Sequence, residues 1–478
     1  MRSSPLSLLE YYPPLSLVRD ALKGRGARIF LVGGALRDYC LGRRGTDLDF
    51  AVDRDSIALA RQLARRIHGA FVLLDAAHGS ARVIKKMDGA IWSFDLTDWR
   101  GKSIQKDLGL RDFTINAMAL DILDKEAFGI LEVKGSNRDL KAGVVRMVTP
   151  KIFKDDPLRL LRAFSLQASL GFKIEAHTLL QMKKDAYLIS AVASERIREE
   201  VFKVLASPRA PALLGAMDKL GLLAHVIPQV TVMYGVKQGG YHHLDVWKHS
   251  LEMVRQLEII IAKLGEQEPM RAYLHQSLGG GHTRLALLKL AALLHDIGKP
   301  ETRRQEGARM TFHSHEHAGE RITRQVSKHL KLSVKERFFL EDVVRMHLRP
   351  GYLSNFKRPS EKAIFRYLRD TKDEAASVAI LALADQAATQ GPLTTQAKSH
   401  HHAKICHMLI ERYFKLKDQK PRQRLLTGHD LIKTLKLEPS ELFGEILFSV
   451  EEAAALGKIK TKVEALRIAK DIIAKSKG

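Results

Sequence analysis

The stretch that decides the reading is Leu31-Val-Gly-Gly-Ala-Leu-Arg-Asp38, followed by Leu41-Gly-Arg-Arg-Gly-Thr-Asp-Leu-Asp-Phe50. An apolar strand ending in Gly33-Gly34 lets backbone amides approach an anion, and the helix after it offers its positive end, with Arg37 one turn in. Asp47 and Asp49 lie two apart in a second apolar run, so on a strand both side chains leave the same face and can hold hard divalent cations. Two Mg²⁺ ions held there would activate an attacking hydroxyl and steady a leaving pyrophosphate. An Asp-x-Asp pair alone also arises by chance on exposed strand ends; the Gly-Gly-x-x-Arg-Asp prefix gives this one a ligand. A third catalytic carboxylate is expected on a neighbouring strand: Ile91-Trp-Ser-Phe-Asp-Leu supplies Asp95, with Asp98 as its rival.

Working outward, apolar runs rich in Val, Ile and Phe at Arg28–Val32, Asp47–Val52, Phe71–Leu74 and Ala90–Leu96 alternate with helical patterning such as Ser56–Ile67. After Pro150 the strand signals fade, and Asp156–Leu170, Ala193–Leu205, Leu285–His295 and Leu442–Ala455 carry apolar residues at helical spacing. The predicted class is α+β, a small mixed-sheet head followed by a mostly α-helical remainder. The expected divisions are a catalytic head over 1–150, a helical neck over 151–235, a further domain over 236–405 and a basic helical tail over 406–478. Leu278–His282 and Gln390–Ser399 read as loops, and Lys415–Arg424 as a basic hinge.

Bulk properties agree. The chain has 478 residues, against about 150 for a typical domain. Its 78 Lys and Arg against 54 acidic residues leave +24, which points to a polyanion: RNA, DNA or an anionic membrane surface. No window approaches the ~20 uninterrupted apolar residues of a membrane span, and Met1–Pro14 lacks the pattern of a signal peptide, so no membrane role and a cytoplasmic location are expected. Cys40 and Cys406 are too few for a disulfide framework or a cysteine zinc site, which leaves oxygen and imidazole as metal ligands.

Four further motifs follow in order: Leu110-Arg-Asp-Phe-Thr-Ile-Asn-Ala-Met-Ala119, Asp139-Leu-Lys-Ala-Gly-Val-Val-Arg146, Asp155-Asp-Pro-Leu-Arg-Leu-Leu-Arg-Ala163 and Ser194-Glu-Arg-Ile-Arg-Glu-Glu-Val-Phe-Lys203. With the Gly-Gly and Asp-x-Asp series, this order resembles the class II tRNA nucleotidyltransferase (CCA-adding enzyme) and bacterial poly(A) polymerase family. The resemblance implies a ribose-recognition motif at Arg111, Asp112 and Asn116, with Leu110 where an arginine is usual. It also implies a head-to-neck hinge at Asp139–Arg146 and a nucleotide-selection motif at Asp156, Arg159 and Arg162, with Asp155 where glutamate is usual. As chemistry, Asp112 can accept from ribose hydroxyls; its plainer reading is the cap of a helix over Thr114–Ala119. Asp156 and Arg159, at i and i+3 of a helix, can present an acceptor beside a forked donor to the edge of cytosine or adenine, or form an ordinary surface pair. Arg196 and Arg198 are expected on the neck, near nucleotide or RNA.

A second constellation begins at His295-Asp296, which closes an apolar helix and precedes Ile-Gly-Lys-Pro. His249, His315, His347 and Asp385 flank it, and the six resemble the HD phosphohydrolase superfamily. The resemblance implies one or two divalent ions, a transition metal or Mg²⁺, and hydrolysis of phosphoesters. His242, His243 and His317 read as bystanders, His400-His-His402 as a solvated patch, and His429-Asp430 as a helix start. The implied activity is addition or repair of the 3′-terminal CCA of tRNA from CTP and ATP, with phosphodiesterase or phosphatase activity at the HD site. Poly(A), CC-only or A-only addition stay open, as does a non-catalytic RNA-binding or nucleotide-sensing HD protein.

Overall fold

The structure, a computed structural model, describes residues 5–123, 129–307, 309–419 and 424–476; residues 420–423 of the expected hinge lie outside it. The chain forms two compact units, 1–207 with 216–226, and 208–215 with 227–478. The class is the expected α+β.

The first unit is built on a seven-stranded sheet of β1 (Ile29–Val32), β2 (Asp47–Val52), β3 (Ala70–Asp75), β4 (Ser80–Met87), β5 (Ala90–Asp98), β6 (Met118–Asp121) and β7 (Leu131–Glu132), in the order β3-β4-β5-β2-β1-β6-β7. All neighbours are antiparallel except β2 and β5. β1 is buried throughout, as an all-apolar central strand must be, whereas β2 alternates until Asp49 and is buried from Phe50 onward. The helix Ser56–Ile67 lays Leu59, Ala60, Leu63, Ala64 and Ile67 on the sheet, and Asp98 caps its first turn by accepting from the Ser56 amide at 2.9 Å. β4 escapes the apolar pattern because Arg82, Lys85 and Lys86 occupy it; Ala81 and Val83 are its buried positions.

Two sequence expectations fail locally. Thr114–Asn116 is a single 3₁₀ turn that leads into β6, not a helix to Ala119, because Ala119–Asp121 pair with β1, Met118 and Ala119 pair with β7, and Met118–Leu120 are buried. The helix expected over Asp156–Leu170 begins at Arg159. Pro157 has no amide proton and disfavours the helical region for the residue before it, so Asp156 is extended at φ −149°, ψ 101°.

The second unit is helical apart from the short hairpin Arg304–Glu306 with Arg309–Thr311. Its core helices are Val246–Leu264, Arg284–Leu294, His315–His329, Val334–Met346 and Ala375–Ala388; Ala286–Leu294 and Ala375–Ala384 are buried on every side. The loop at Gln390–Ser399 is shorter than expected, since the helix Gln396–Lys417 starts within it. Thr427 and Asp430 form a capping box on Gly428–Leu435, the expected helix start. The last segment packs its own core around Leu431, Ile446, Val450, Ala465 and Ala469.

At Gly298 backbone meets backbone: a Cβ there would lie 2.1 Å from the His315 carbonyl oxygen and 2.5 Å from the Gly319 nitrogen. Gly298→Ala should therefore destabilise this unit by about 1–3 kcal/mol, read as a lower urea midpoint of its unfolding transition. An unmoved midpoint would contradict the close approach.

Candidate active sites

In the head, parallel pairing sets Asp47 opposite Ser93 and Asp49 opposite Asp95. Residues paired in register point to one side, so Asp47, Asp49 and Asp95 share a face. Asp98 pairs with Val52, on the other face, and is spent as a helix cap. Asp47 is exposed and Asp49 half-buried. Burial, the facing Asp95 and nearby Asp47 push the Asp49 carboxyl up to about 6, against the pull of Arg111 and Arg162. Three acidic side chains on one face are the hard-oxygen donor set that Mg²⁺ prefers. Arg82 on β4 takes both Asp95 oxygens at 2.7 Å, a partner no motif pointed to.

Gly33, at φ 71°, ψ −133°, leaves its Cβ position only 3.4 Å from Arg111 Nη1 and 3.5 Å from Asp49 Oδ2. A side chain there would be strained and would fill the gap between cation and carboxylate. Gly34 opens the helix Gly34–Cys40, and Arg37 on it donates to Asn116 Oδ1 at 2.7 Å. Asn116 donates to Asp112 Oδ1 at 3.1 Å, which also accepts the Phe113 amide at 2.7 Å. The other Asp112 oxygen accepts from Arg162 Nε and Nη2 at 3.0 and 2.8 Å. Burial works to raise the Asp112 carboxyl, but Arg162, with the Phe113 amide and Asn116, outweighs it and holds the group below the ordinary range.

Asp112 is thus buried with both oxygens engaged. Where the sequence suggested a free acceptor for ribose, the structure has the centre of a chain running Arg37–Asn116–Asp112–Arg162. Arg111 is anchored by Asp107, its Nε at 3.0 Å and Nη2 at 2.9 Å from Oδ2, at the i,i+4 spacing of a helical ion pair. Arg111 and Arg162 are the two cations that act on Asp49, placed to meet a polyphosphate.

The expected base-reading pair needs correction. Asp156 precedes the helix, accepts from the Leu158 amide at 3.2 Å and pairs with Arg196 at 3.0 Å. Arg159 is buried and donates to the carbonyls of Ile152 at 3.4 Å and Leu110 at 3.0 Å. They do not project together from one helical face, because Pro157 ends the helical path between them. Arg198 pairs with Glu199 at 2.8 Å.

In the second unit all six expected residues converge. Among the described residues, two trios each bring one ligand atom within 4.8 Å of the others: His249, His295 and Asp385, and Asp296, His315 and His347. Asp296 joins the two trios, with Oδ2 at 3.0 Å from His295 Nε2 and 3.8 Å from His249 Nε2, and Oδ1 at 3.4 and 4.0 Å from His315 and His347 Nε2. Asp385 Oδ1 accepts from His249 Nε2 at 3.0 Å.

One device orients three of the imidazoles. Nδ1 of His295, His315 and His347 donates to the carbonyl three residues back, Ala292, Phe312 and Val344, at 2.9, 2.8 and 2.6 Å. With the proton on Nδ1, each Nε2 turns its lone pair to the centre. Burial, with His315 and His295 beside it, lowers His347 to about 3 and keeps it neutral. The buried His295 Nε2 has no well-directed hydrogen bond although Asp296 lies 3.0 Å away. Imidazoles with a shared carboxylate fit one or two divalent ions of the Mn²⁺, Fe, Ni or Mg²⁺ kind.

Sequence reasoning missed three neighbours. Lys299 is 2.6 Å from Asp296 Oδ2, His242 stacks edge-on against His249 with ring centroids 4.7 Å apart, and His402 is buried on the wall of the same cavity. His242 is therefore no bystander, and the run His400–His402 is not simply a solvated patch.

Comparison with known proteins places these geometries. Residues 29–146 match the family described as poly A polymerase head domain, 171–233 the probable RNA and SrmB-binding site of polymerase A, and 246–389 the HD domain. The A-adding tRNA nucleotidyltransferase of Deinococcus radiodurans is 32% identical, over 91% of this chain and 93% of its own. The CC-adding tRNA nucleotidyltransferase of Thermus thermophilus is 31% identical, over 91% and 92%. A CCA-adding enzyme solved with CTP shares the fold, with a TM-score of 0.66 at 20% identity over 98% of each chain.

Two outcomes follow from the site geometry. The Asp49 carboxyl titrates near 6 in the folded chain and about 3.9 in an unfolded one, so its contribution to stability is full below the unfolded value and lost as pH rises through about 6. Asp49→Asn should raise the Tm of the metal-free protein at pH 8 by more than at pH 5; a lower Tm at pH 8 would contradict the buried-carboxylate account. Because Asp296 serves both trios, Asp296→Ala should strip more Mn²⁺ from the protein than His347→Ala, measured by elemental analysis after gel filtration. Equal losses would argue against a shared carboxylate.

Proposed function

The chain belongs to the tRNA nucleotidyltransferase family with a poly(A) polymerase head, and from that premise we propose that it builds or repairs the 3′-terminal CCA of tRNA from CTP and ATP. The observation that carries this is the single face shared by Asp47, Asp49 and Asp95, with Arg111 and Arg162 acting on it. The terminal ribose oxygen attacks the α-phosphorus, the bond to the β-phosphate breaks, and the hydroxyl proton is released with pyrophosphate leaving. Divalent cations on the carboxylates would neutralise charge developing on the triphosphate. The chain's own part is to hold those carboxylates at Asp49 and Asp95, to meet the leaving phosphates with Arg111 and Arg162, and to fix Arg162 through Asp112 and Asn116. The excess of 24 positive charges suits a tRNA backbone.

A narrower reading, addition of CC alone or A alone, is favoured by the names of the relatives matched along nearly their whole length. The HD unit is proposed as a phosphohydrolase, on the strength of its two joined ligand trios. We place the enzyme in the cytoplasm; among the described residues no helix is long and apolar enough to cross a membrane.

Purified protein given tRNA ending at the discriminator base, at C or at CC, with labelled CTP or ATP, separates these readings. Addition of C, C and A that then stops supports the full activity, and arrest after CC, or A added only to CC ends, supports the narrower one. Long A tails, or no incorporation from any end, would overturn both. Asp47→Ala should abolish incorporation and spare phosphoester hydrolysis, with His295→Ala doing the reverse.

A further inference from the structure

The HD centre opens into a cavity of about 720 Å³ lined by more than its ligands. A cavity of that size accommodates a nucleotide, not merely a phosphate. The long helix Gln396–Lys417 contributes Lys398, His401 and His402 to the wall, three residues at i, i+3 and i+4 on one face. Two lysines line the cavity, and they are in opposite conditions. Lys299 is buried and committed, 2.6 Å from Asp296 Oδ2 and donating to Gln238 Oε1 at 2.6 Å. Lys398 is exposed and, among the described residues, has no carboxylate within 4.0 Å. His401 Nε2 lies 2.9 Å from the Phe356 carbonyl oxygen, so its proton points there and Nδ1 is left as an acceptor.

We propose that Lys398 binds a second phosphate, one nucleotide back from the phosphoester at Asp296, and that His401 Nδ1 accepts from the ribose hydroxyl between them. The substrate class of this site is then the phosphorylated end of a polyribonucleotide, and small phosphoesters are poor substitutes. The inference rests on the hydrolase reading of the HD centre. In the reaction a water oxygen joins phosphorus, the ester P–O bond breaks, and a water proton passes to the leaving ribose oxygen. Lys398 and His401 take no part in that exchange; they position the chain.

The test uses the full-length, Mn²⁺-loaded protein with a tetraribonucleotide bearing a 3′-phosphate and with p-nitrophenyl phosphate. Lys398→Ala should lower kcat/KM on the oligonucleotide about tenfold more than on p-nitrophenyl phosphate, through KM, as befits loss of one charged hydrogen bond. The slope of log KM against log salt should fall by about 0.7, and Lys398→Arg should restore most of both. Equal effects on the two substrates, or none, would overturn the inference while leaving the hydrolase reading intact. Failure of the wild-type protein to hydrolyse either substrate would overturn both together.

Discussion

Placing two carboxylates opposite each other on adjacent parallel strands is electrostatically unfavourable, and the first unit is organised around making it possible. Asp49 and Asp95 are in register because β2 and β5 run the same way, the only parallel pair in the sheet. Arg82 takes up Asp95, while Arg111 and Arg162 lower the cost at Asp49. Each of these arginines except Arg82 is itself pinned by a buried acid, Asp107 or Asp112. The result is a cleft whose charge is poised for a cation and a polyphosphate to complete.

The second unit solves a different problem, that of turning several flexible imidazoles to one point. It does so with local bonds, since a histidine at a helix terminus can donate Nδ1 to a carbonyl three residues back. Tautomer and ring direction are then fixed before any metal arrives, and the buried helices Arg284–Leu294 and Ala375–Ala388 supply the dry scaffold. Gly298 and Gly319 let the turn after Arg284–Leu294 close up to backbone contact with the helix His315–His329.

The two centres differ in the way their chemistries differ. The head gathers oxygen ligands and arginines, suited to hard cations and triphosphate. The HD centre mixes nitrogen with oxygen and neutral imidazole with carboxylate, suited to softer divalent ions. Asp47, Asp49 and Asp95 lie in the first compact unit, and the six residues of the HD centre in the second.

The sequence by itself determined the α+β class, the strands bearing Asp47, Asp49 and Asp95, and the six residues that gather at the HD centre, because these follow from short-range periodicity and from ordered motifs that resemble known families. It determined them even where a lone dipeptide meant little, since the motifs' order along the chain carried the information. Only the tertiary structure decided between Asp95 and Asp98, because that choice turns on the register of strands more than 40 residues apart, Asp49 against Asp95. It also turned Asp112 inward, used Arg159 to satisfy backbone carbonyls, and brought His242, Lys299 and His402 to the HD cavity. Such partnerships join residues distant in sequence, and the pattern of a single segment holds no record of which buried acid or carbonyl a given arginine will meet.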